Sequence, residues 1–314
     1  MSSRLHAHIG TFRQLEILLA VHQGGSIKAA SERLFLTQPT VSMQLKKLSE
    51  AIGLPLYHQV GRKLKFTDAG LVTVKTAQQI LQSCEALDMQ LSDLRGLKSG
   101  TLRLASATTA KYFIPHLLGP FCERYPGIDI QFTVANRQQV IERLEQGLDD
   151  FYVFSYVPQG LDLETIEFMS NDLVAIAEQN HPLAQQKKIS LDTFCQHDFL
   201  IRESGSGTRY ATESFFEAQA VSPKIKMTIA SNEAIIHSVL SRLGVSILSA
   251  HTLAFGEIYN VKVLNVEGLP IQSKWSFSWT KSDHLSPIAK VFLNYVETEG
   301  REMMKQAIKL KALQ

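Results

Sequence analysis

Two sets of polar residues in this chain have the types and spacing to hold anions. The first set lies where apolar runs give way to polar turns: Ser106, Thr108 and Thr109 in ASATTAKYFIP, Ser204, Ser206 and Thr208 in RESGSGTRY, and Ser231 with Asn232 in ASNEAI. Each turn sets hydroxyl or amide groups beside the N–H groups that a helix start leaves without partners, an arrangement suited to phosphates and carboxylates. Asn136-Arg137 makes a fourth such edge, and Arg202 and Arg209 supply counter-charge. At any single junction a hydroxyl serves equally as a plain helix cap. Four junctions on successive strand ends favour a shared pocket for a small anionic metabolite.

The second set lies in LTQPTVSMQLKKL. Val41, Leu45, Leu48 and Ile52 recur at helical spacing and bury one face, so Pro39, Thr40, Met43, Lys46 and Lys47 point the other way, flanked by Gln38 and Ser42. Such a face is small at its N-terminal end and basic at its C-terminal end. It fits a DNA major groove, with base edges near the helix start and phosphates near the lysines.

Charge agrees with that placement. Residues 1–66 hold nine Lys or Arg against three Glu, a net of +6, and the chain's total of +2 leaves −4 for the rest. A basic head on a mildly acidic body suits a nucleic-acid contact at one end. The three cysteines (Cys84, Cys122, Cys195) and ten histidines match no metal-ligand spacing, so no metal is expected, and the unpaired cysteines suit a reducing cytoplasm. His181 and His251 read as core or surface histidines. Neither an export signal nor a membrane span is evident in the sequence. SGSGTR lacks both the Lys-Ser or Lys-Thr pair of a phosphate loop and the third glycine of a dinucleotide fingerprint, so no cofactor is expected. The rival reading of that loop is an enzyme acting on a phosphorylated small molecule; a second rival is a free solute-binding protein.

The elements that must position these residues are legible. A first apolar stripe (Phe12, Leu15, Leu18, Leu19, Val21) stops at Gly24-Gly25, Ser26 caps a second helix, and Thr37 caps a third with Pro39 in its first turn. Two strand-like runs, 57–60 and 63–67, surround a Gly61-Arg62 turn, so Arg62, Lys63 and Lys65 sit on a hairpin beside the third helix. From 71 to 95 there is no Gly or Pro, and Ala77, Ile80, Cys84, Leu87, Leu91 and Leu94 form a heptad seam. Such a rod, roughly 40 Å long at about 1.5 Å per residue, would pair two chains.

Residues 11–70 resemble the winged helix-turn-helix head of LysR-type transcriptional regulators. The match runs through Ala29-Ala30, Thr37-Gln38-Pro39, Val41-Ser42, Gly61-Arg62 and Thr67-Asp68-Ala69-Gly70. The resemblance implies double-stranded DNA as a partner, contacted by Gln38, Pro39, Thr40, Ser42, Lys46 and Arg62; Ser26, Lys28, Met43, Lys47, Lys63 and Lys65 complete the candidate DNA-binding set. It also implies dimerisation through the linker helix, as a homodimer or homotetramer, and RNA polymerase as a further partner.

After residue 100, strands at 102–105, 128–134, 151–154, 173–177, 199–202, 225–229, 245–248, 261–264 and 275–279 alternate with helices at 112–125, 138–146, 210–218, 233–243 and 287–299. That alternation implies an α/β fold with mainly parallel sheets and ligands at the strands' carboxyl ends. This part resembles the LysR effector domain, two α/β periplasmic-binding-protein-like subdomains with an inducer between them. The expected domains are 1–67 (winged helix-turn-helix), 68–98 (linker and dimerisation helix), 99–300 (effector-binding, subdomain I about 101–174 with 276–299, subdomain II about 175–275) and a tail, 301–314. GSGTR at 205–209, SNEAI at 231–235, VEGLPI at 266–271 and LSPIAKVFLNYV at 285–296 are most similar to the regulators of Rubisco and carbon-fixation operons, which sense phosphorylated sugars, phosphoglycolate, NADPH or similar anions. Tyr152 and Tyr156 are bulkier than that subfamily's usual residues, which implies a different ligand fit. The function expected is a cytoplasmic, non-enzymatic, sequence-specific DNA-binding regulator answering to a small anionic metabolite.

Overall fold

Thr11 opens the first helix with a reciprocal cap: its side chain accepts from the Gln14 N–H, and Gln14 returns the bond to the Thr11 backbone. In the computed structural model, residues 11–60, 63–94, 99–255, 259–281 and 285–304 are described. They fall in two compact units, Met1–Arg95 and Gly96–Gln314.

In the first unit, α1 (Phe12–Gly24), α2 (Ile27–Leu34) and α3 (Gln38–Ile52) precede a two-stranded ribbon, β1 (Tyr57–Val60) against β2 (Lys63–Phe66), and then α4 (Asp68–Leu94). Ser26 caps α2 and Thr37 caps α3, as their short polar side chains permit. Leu18, Val21, Ala30, Val41, Leu45, Leu48 and Leu56 form the core that fixes these helices. Thr67 closes the ribbon onto α4: its N–H donates to the Leu56 carbonyl at 3.0 Å, its hydroxyl donates to Pro55 at 2.7 Å and accepts from Gly70 at 3.0 Å. A Cβ on Gly70 would stand 1.9 Å from the Leu56 carbonyl oxygen, so only glycine fits there.

The expected heptad seam on α4 requires correction. Ala77 is buried in the core of this unit together with Val74, and Ile80 packs against the same core. The stripe's first two positions therefore serve the head itself, and Cys84, Leu87 (55% exposed) and Leu91 (44%) form its open part. The side chain of Leu94 lies outside the described residues.

The second unit is a mixed sheet with helices on its faces. β3 (Gly100–Ala107), a 3-10 turn (Thr108–Tyr112), α5 (Ile114–Arg124), β4 (Ile128–Ala135), α6 (Arg137–Glu145) and β5 (Phe151–Phe154) build one lobe. The long β6 (Leu163–Glu178) leads to α7 (Leu191–Cys195), β7 (Asp198–Arg202), α8 (Gly207–Ala218), β8 (Lys224–Ile229), α9 (Asn232–Leu240), β9 (Val245–Ser249), α10 (Ala250–Phe255) and β10 (Val261–Val263). β11 (Ile271–Thr280) and α11 (Pro287–Tyr295) then return to the first lobe. The strand order is β4-β3-β5-β11-β6-β9-β7-β8, with β10 on β6.

Within each lobe the pairs β3–β4, β3–β5, β7–β8 and β7–β9 are parallel. The joints are antiparallel: β11 against β5 and β6, β6 against β9 and β10. The sheet is thus mixed rather than mainly parallel, because two crossover strands run between the lobes. The single helix expected over 112–125 is a 3-10 turn followed by α5, and the one expected over 287–299 passes from α11 into a π turn, Val296–Gly300. Residues 301–304 continue it as helix.

Candidate functional site

In the first unit, α3 presents Gln38, Pro39, Met43, Lys46 and Lys47 as exposed side chains, with Thr40 and Ser42 half-buried beside them. The Thr37 hydroxyl meets the Thr40 hydroxyl at 2.8 Å, so the start of the helix is tied. Lys46 stands 3.9 Å from Glu50, and Lys28 3.9 Å from Glu32; all four are exposed, and such pairs hold their charges loosely. Ser26 spends its oxygen on the Ala29 N–H, and Lys28 is the exposed cation of that turn. Lys65 is exposed on β2, and Lys63 lies on the same strand, its side chain outside the description. Arg62 lies outside the described residues.

In the second unit, a cleft of about 280 Å³, open solvent included, gathers three of the four junctions between the lobes. Ala107, Thr108 and Thr109 come from the end of β3, Asn136 and Arg137 from the start of α6, and Arg202, Ser206, Gly207 and Thr208 from the turn between β7 and α8. Ser155, Asn171 and Trp275 complete the lining from β5's end and the crossover strands. These last residues carried no signal in the sequence: no helix start follows them, and only the pairing of β6 with β11 brings Asn171 and Trp275 here.

Local bonds set each side chain. Asn136 accepts from the Gln139 N–H at 3.0 Å and Ser206 from the Arg209 N–H at 3.5 Å, so both cap their helices while lining the cleft. The Thr108 hydroxyl donates to the Ala135 carbonyl. Arg137 donates to the Tyr156 carbonyl at 3.0 Å and lies 4.8 Å over the Tyr210 ring; burial lowers its pKa from the ordinary guanidinium value. Arg202, 2% exposed, donates to both Glu203 oxygens and to Asn232 Oδ1. Gly205, with φ of +84°, gives its carbonyl to the Gln138 N–H across the lobes, and a Cβ there would come within 3.0 Å of Gln138.

The remaining expected residues sit elsewhere. Ser106 is fully buried behind the lining. Ser204 is exposed in the turn, Arg209 is held by Glu213 at 2.7 Å and by the Arg202 carbonyl, and Ser231 caps α9 through the Ala234 N–H. Asn232 is buried beside the cleft, bonded to Arg202 and Thr109. Neither Tyr152 nor Tyr156 lines the cleft; Tyr152 is turned inward, its hydroxyl accepting from the Asp149 N–H at 2.8 Å. Across the lobes, Lys111 and Tyr112 meet Glu233 at 2.7 and 2.9 Å. Burial pushes the Glu233 carboxyl up, but bonds from Lys111, its own N–H, Ser231 and Tyr112 outweigh it and hold the group at about 2.

A winged helix-turn-helix followed by a two-lobed α/β unit with a polar cleft defines the class of ligand-responsive DNA-binding regulators. Residues 12–71 match the family described as "Bacterial regulatory helix-turn-helix protein, lysR family", and residues 95–301 match "LysR substrate binding domain". The chain belongs to the LysR-type family of transcriptional regulators. It is 46% identical over 287 residues to the HTH-type transcriptional activator CmpR of Synechocystis, covering 91% of this chain and 94% of that protein. It is 38% identical over 290 residues to a RuBisCO operon transcriptional regulator of Acidithiobacillus ferrooxidans, covering 91% and 93%. The solved regulatory domain of Synechocystis CcmR in complex with 2-PG superposes with a TM-score of 0.61 at 38% identity, covering 63% of this chain and 96% of that one.

Proposed function

We propose that this regulator controls carbon-fixation genes by binding a small phosphorylated carboxylic acid between its lobes. The observation that carries the reading is the cleft itself, where the starts of α6 and α8 and the 3-10 turn after β3 converge with Arg137. Unfilled N–H groups at helix starts are an anion site. The CcmR regulatory domain, 38% identical, is described in complex with 2-PG, which supports the same ligand class here. CmpR and the RuBisCO operon regulator support the gene class.

In this reading residues 1–67 hold DNA and 68–98 pair two copies. Within 99–300 the ligand joins subdomain I, about 101–174 with 276–299, to subdomain II, about 175–275. α3 reads bases through Gln38 and its neighbours while Lys46, Lys47 and the ribbon lysines neutralise phosphates. The effector closes the lobes and thereby biases how paired heads are spaced on DNA, which it does only through its differential affinity for the two arrangements. No chemical step is required, so the chain acts as a non-enzymatic regulator.

A thermal-shift screen of the full chain against phosphorylated and carboxylated metabolites tests this, since a ligand of the folded state raises the transition. A rise with 2-phosphoglycolate, together with a changed footprint on promoter DNA, is expected; a flat response across anions would overturn the proposal.

A further inference from the structure

Several polar side chains of the cleft, those of Thr108, Thr109, Asn136, Arg137, Asn171, Arg202 and Ser206, are already engaged by protein atoms. Asn171 is a case in point: its Oδ1 accepts from Ser249 at 2.6 Å and its Nδ2 donates to Ser273 at 2.9 Å. Trp275 differs. It lines the cleft, is 1% exposed, and its Nε1 has no hydrogen-bond partner among the described residues. A buried polar group left unpaired is rare in a native fold and calls for an explanation. The ring is held in place on its other side by Phe113, whose centroid lies 5.3 Å away, so the indole is fixed by packing rather than by its own bond.

We infer that Trp275 is a specificity-determining residue of the cleft, its indole N–H donating to the second, non-phosphate acidic group of a two-ended effector. This rests on the anion-cleft reading given above and goes beyond it by dividing the ligand. The starts of α6 and α8 bring backbone N–H groups to the cleft lining, which suits a phosphate. An indole offers one donor and no acceptor, so what it meets must be an acceptor oxygen, as in a carboxylate; a hydroxyl that only donates would leave it unpaired. Trp275 lies on crossover strand β11 and not at a helix start, so its indole is a donor separate from the helix-start N–H groups that line the same cleft.

Calorimetric titration of the full chain with 2-phosphoglycolate and with methyl phosphate, which lacks the carboxylate, tests the division. Trp275→Phe keeps the ring and removes the donor. The variant is expected to bind 2-phosphoglycolate roughly ten- to hundredfold more weakly, the loss typical of a bond to a charged group, and methyl phosphate unchanged. Equal weakening for both probes, or none for either, overturns the inference while leaving the anion cleft standing. If the unmutated chain binds neither probe, the anion-cleft reading fails and this one with it.

Should Trp275→Phe not fold, the unmutated chain carries its own reporter. With only two tryptophans, Trp275 and Trp279, indole nitrogen labelling gives two resonances, assigned through Trp279→Phe. The Trp275 indole proton is expected to move downfield with 2-phosphoglycolate and to stay put with methyl phosphate; a resonance unmoved by both, under conditions where both bind, overturns the inference.

Discussion

Asn232 Nδ2 donates to Thr109 Oγ1 at 3.2 Å, a buried bond that ties the start of α9 in one lobe to the end of β3 in the other. The same amide's oxygen accepts from Arg202, so one side chain joins the two lobes and a cleft cation. Thr109→Val keeps the volume and removes the acceptor, leaving a buried amide hydrogen unpaired. The variant should lose about 1–3 kcal/mol of effector-unit stability in urea unfolding. Its DNA affinity should stay within about twofold, because Thr109 lies outside the head; a large loss of DNA binding would show that the two units are coupled through this bond.

Glu233 makes the cross-lobe contacts pH-dependent. Its folded carboxyl sits at about 2, below the ordinary 4.5, so it contributes stability that is fully present above about 4.5 and is lost as pH falls toward about 2. The side chain is nearly half exposed, and solvent screening limits the contribution to about 1 kcal/mol. Unfolding measured from pH 6 to pH 3 should show this slope in the native chain and a shallower one in Glu233→Gln. Identical slopes would remove Glu233 from the lobe contact.

Gly70 predicts a defect confined to the head. Gly70→Ala drives a Cβ into the Leu56 carbonyl at 1.9 Å, and the obstacle is backbone, which cannot turn aside. Destabilisation at the top of the ~1–3 kcal/mol overpacking range or beyond is expected, with DNA binding lost and thermal response to effector kept. A variant that binds DNA normally would mean that the ribbon can shift off α4.

The helix-turn-helix was legible because each of its signals is local. Thr37 caps, Pro39 starts, Val41, Leu45 and Leu48 pack, and Thr67 with Gly70 closes the ribbon, each signal being confined to one cap, one stripe or one turn. The three junctions that line the cleft were legible for the same reason, as a hydroxyl or amide before a helix leaves a local mark. Asn171 and Trp275 were not, since strand pairing over a hundred residues brings them to the cleft, and Ser155 was not, since no helix start follows it at the end of β5. The first half of β6 was missed because its half-exposed residues show no clean alternation, and long-range pairing with β11 is what makes it a strand. α7 and α10 are too short to complete a periodic stripe.

On α3, Gln38 in the first turn and Lys47 in the third are both exposed, and they should fail in different ways. Gln38→Ala removes a group suited to a base edge and should relax preference among operator variants by about 1–3 kcal/mol at a single position. Lys47→Ala removes a phosphate contact and should weaken every duplex alike, lowering the salt slope by about one. Binding titrations on operator and scrambled DNA at several salt concentrations separate the two. Indistinguishable behaviour would contradict the division of α3 into a reading end and an anchoring end.

The open part of the α4 stripe carries the last expectation. Leu87 and Leu91 are four residues apart, exposed, and unserved by the core that takes Ala77 and Ile80, so nothing among the described residues of their own unit accounts for two large apolar side chains on one helix face. Facing a second copy they would be buried at the seam spacing of a paired helix. Leu87→Arg with Leu91→Arg would bring four like charges to such a seam and should shift the chain toward monomer in sedimentation. Affinity for a two-half-site operator should then fall well over tenfold while affinity for a single half-site changes little, since the heads themselves are untouched. An unaltered sedimentation profile would place the pairing of copies on surfaces other than α4.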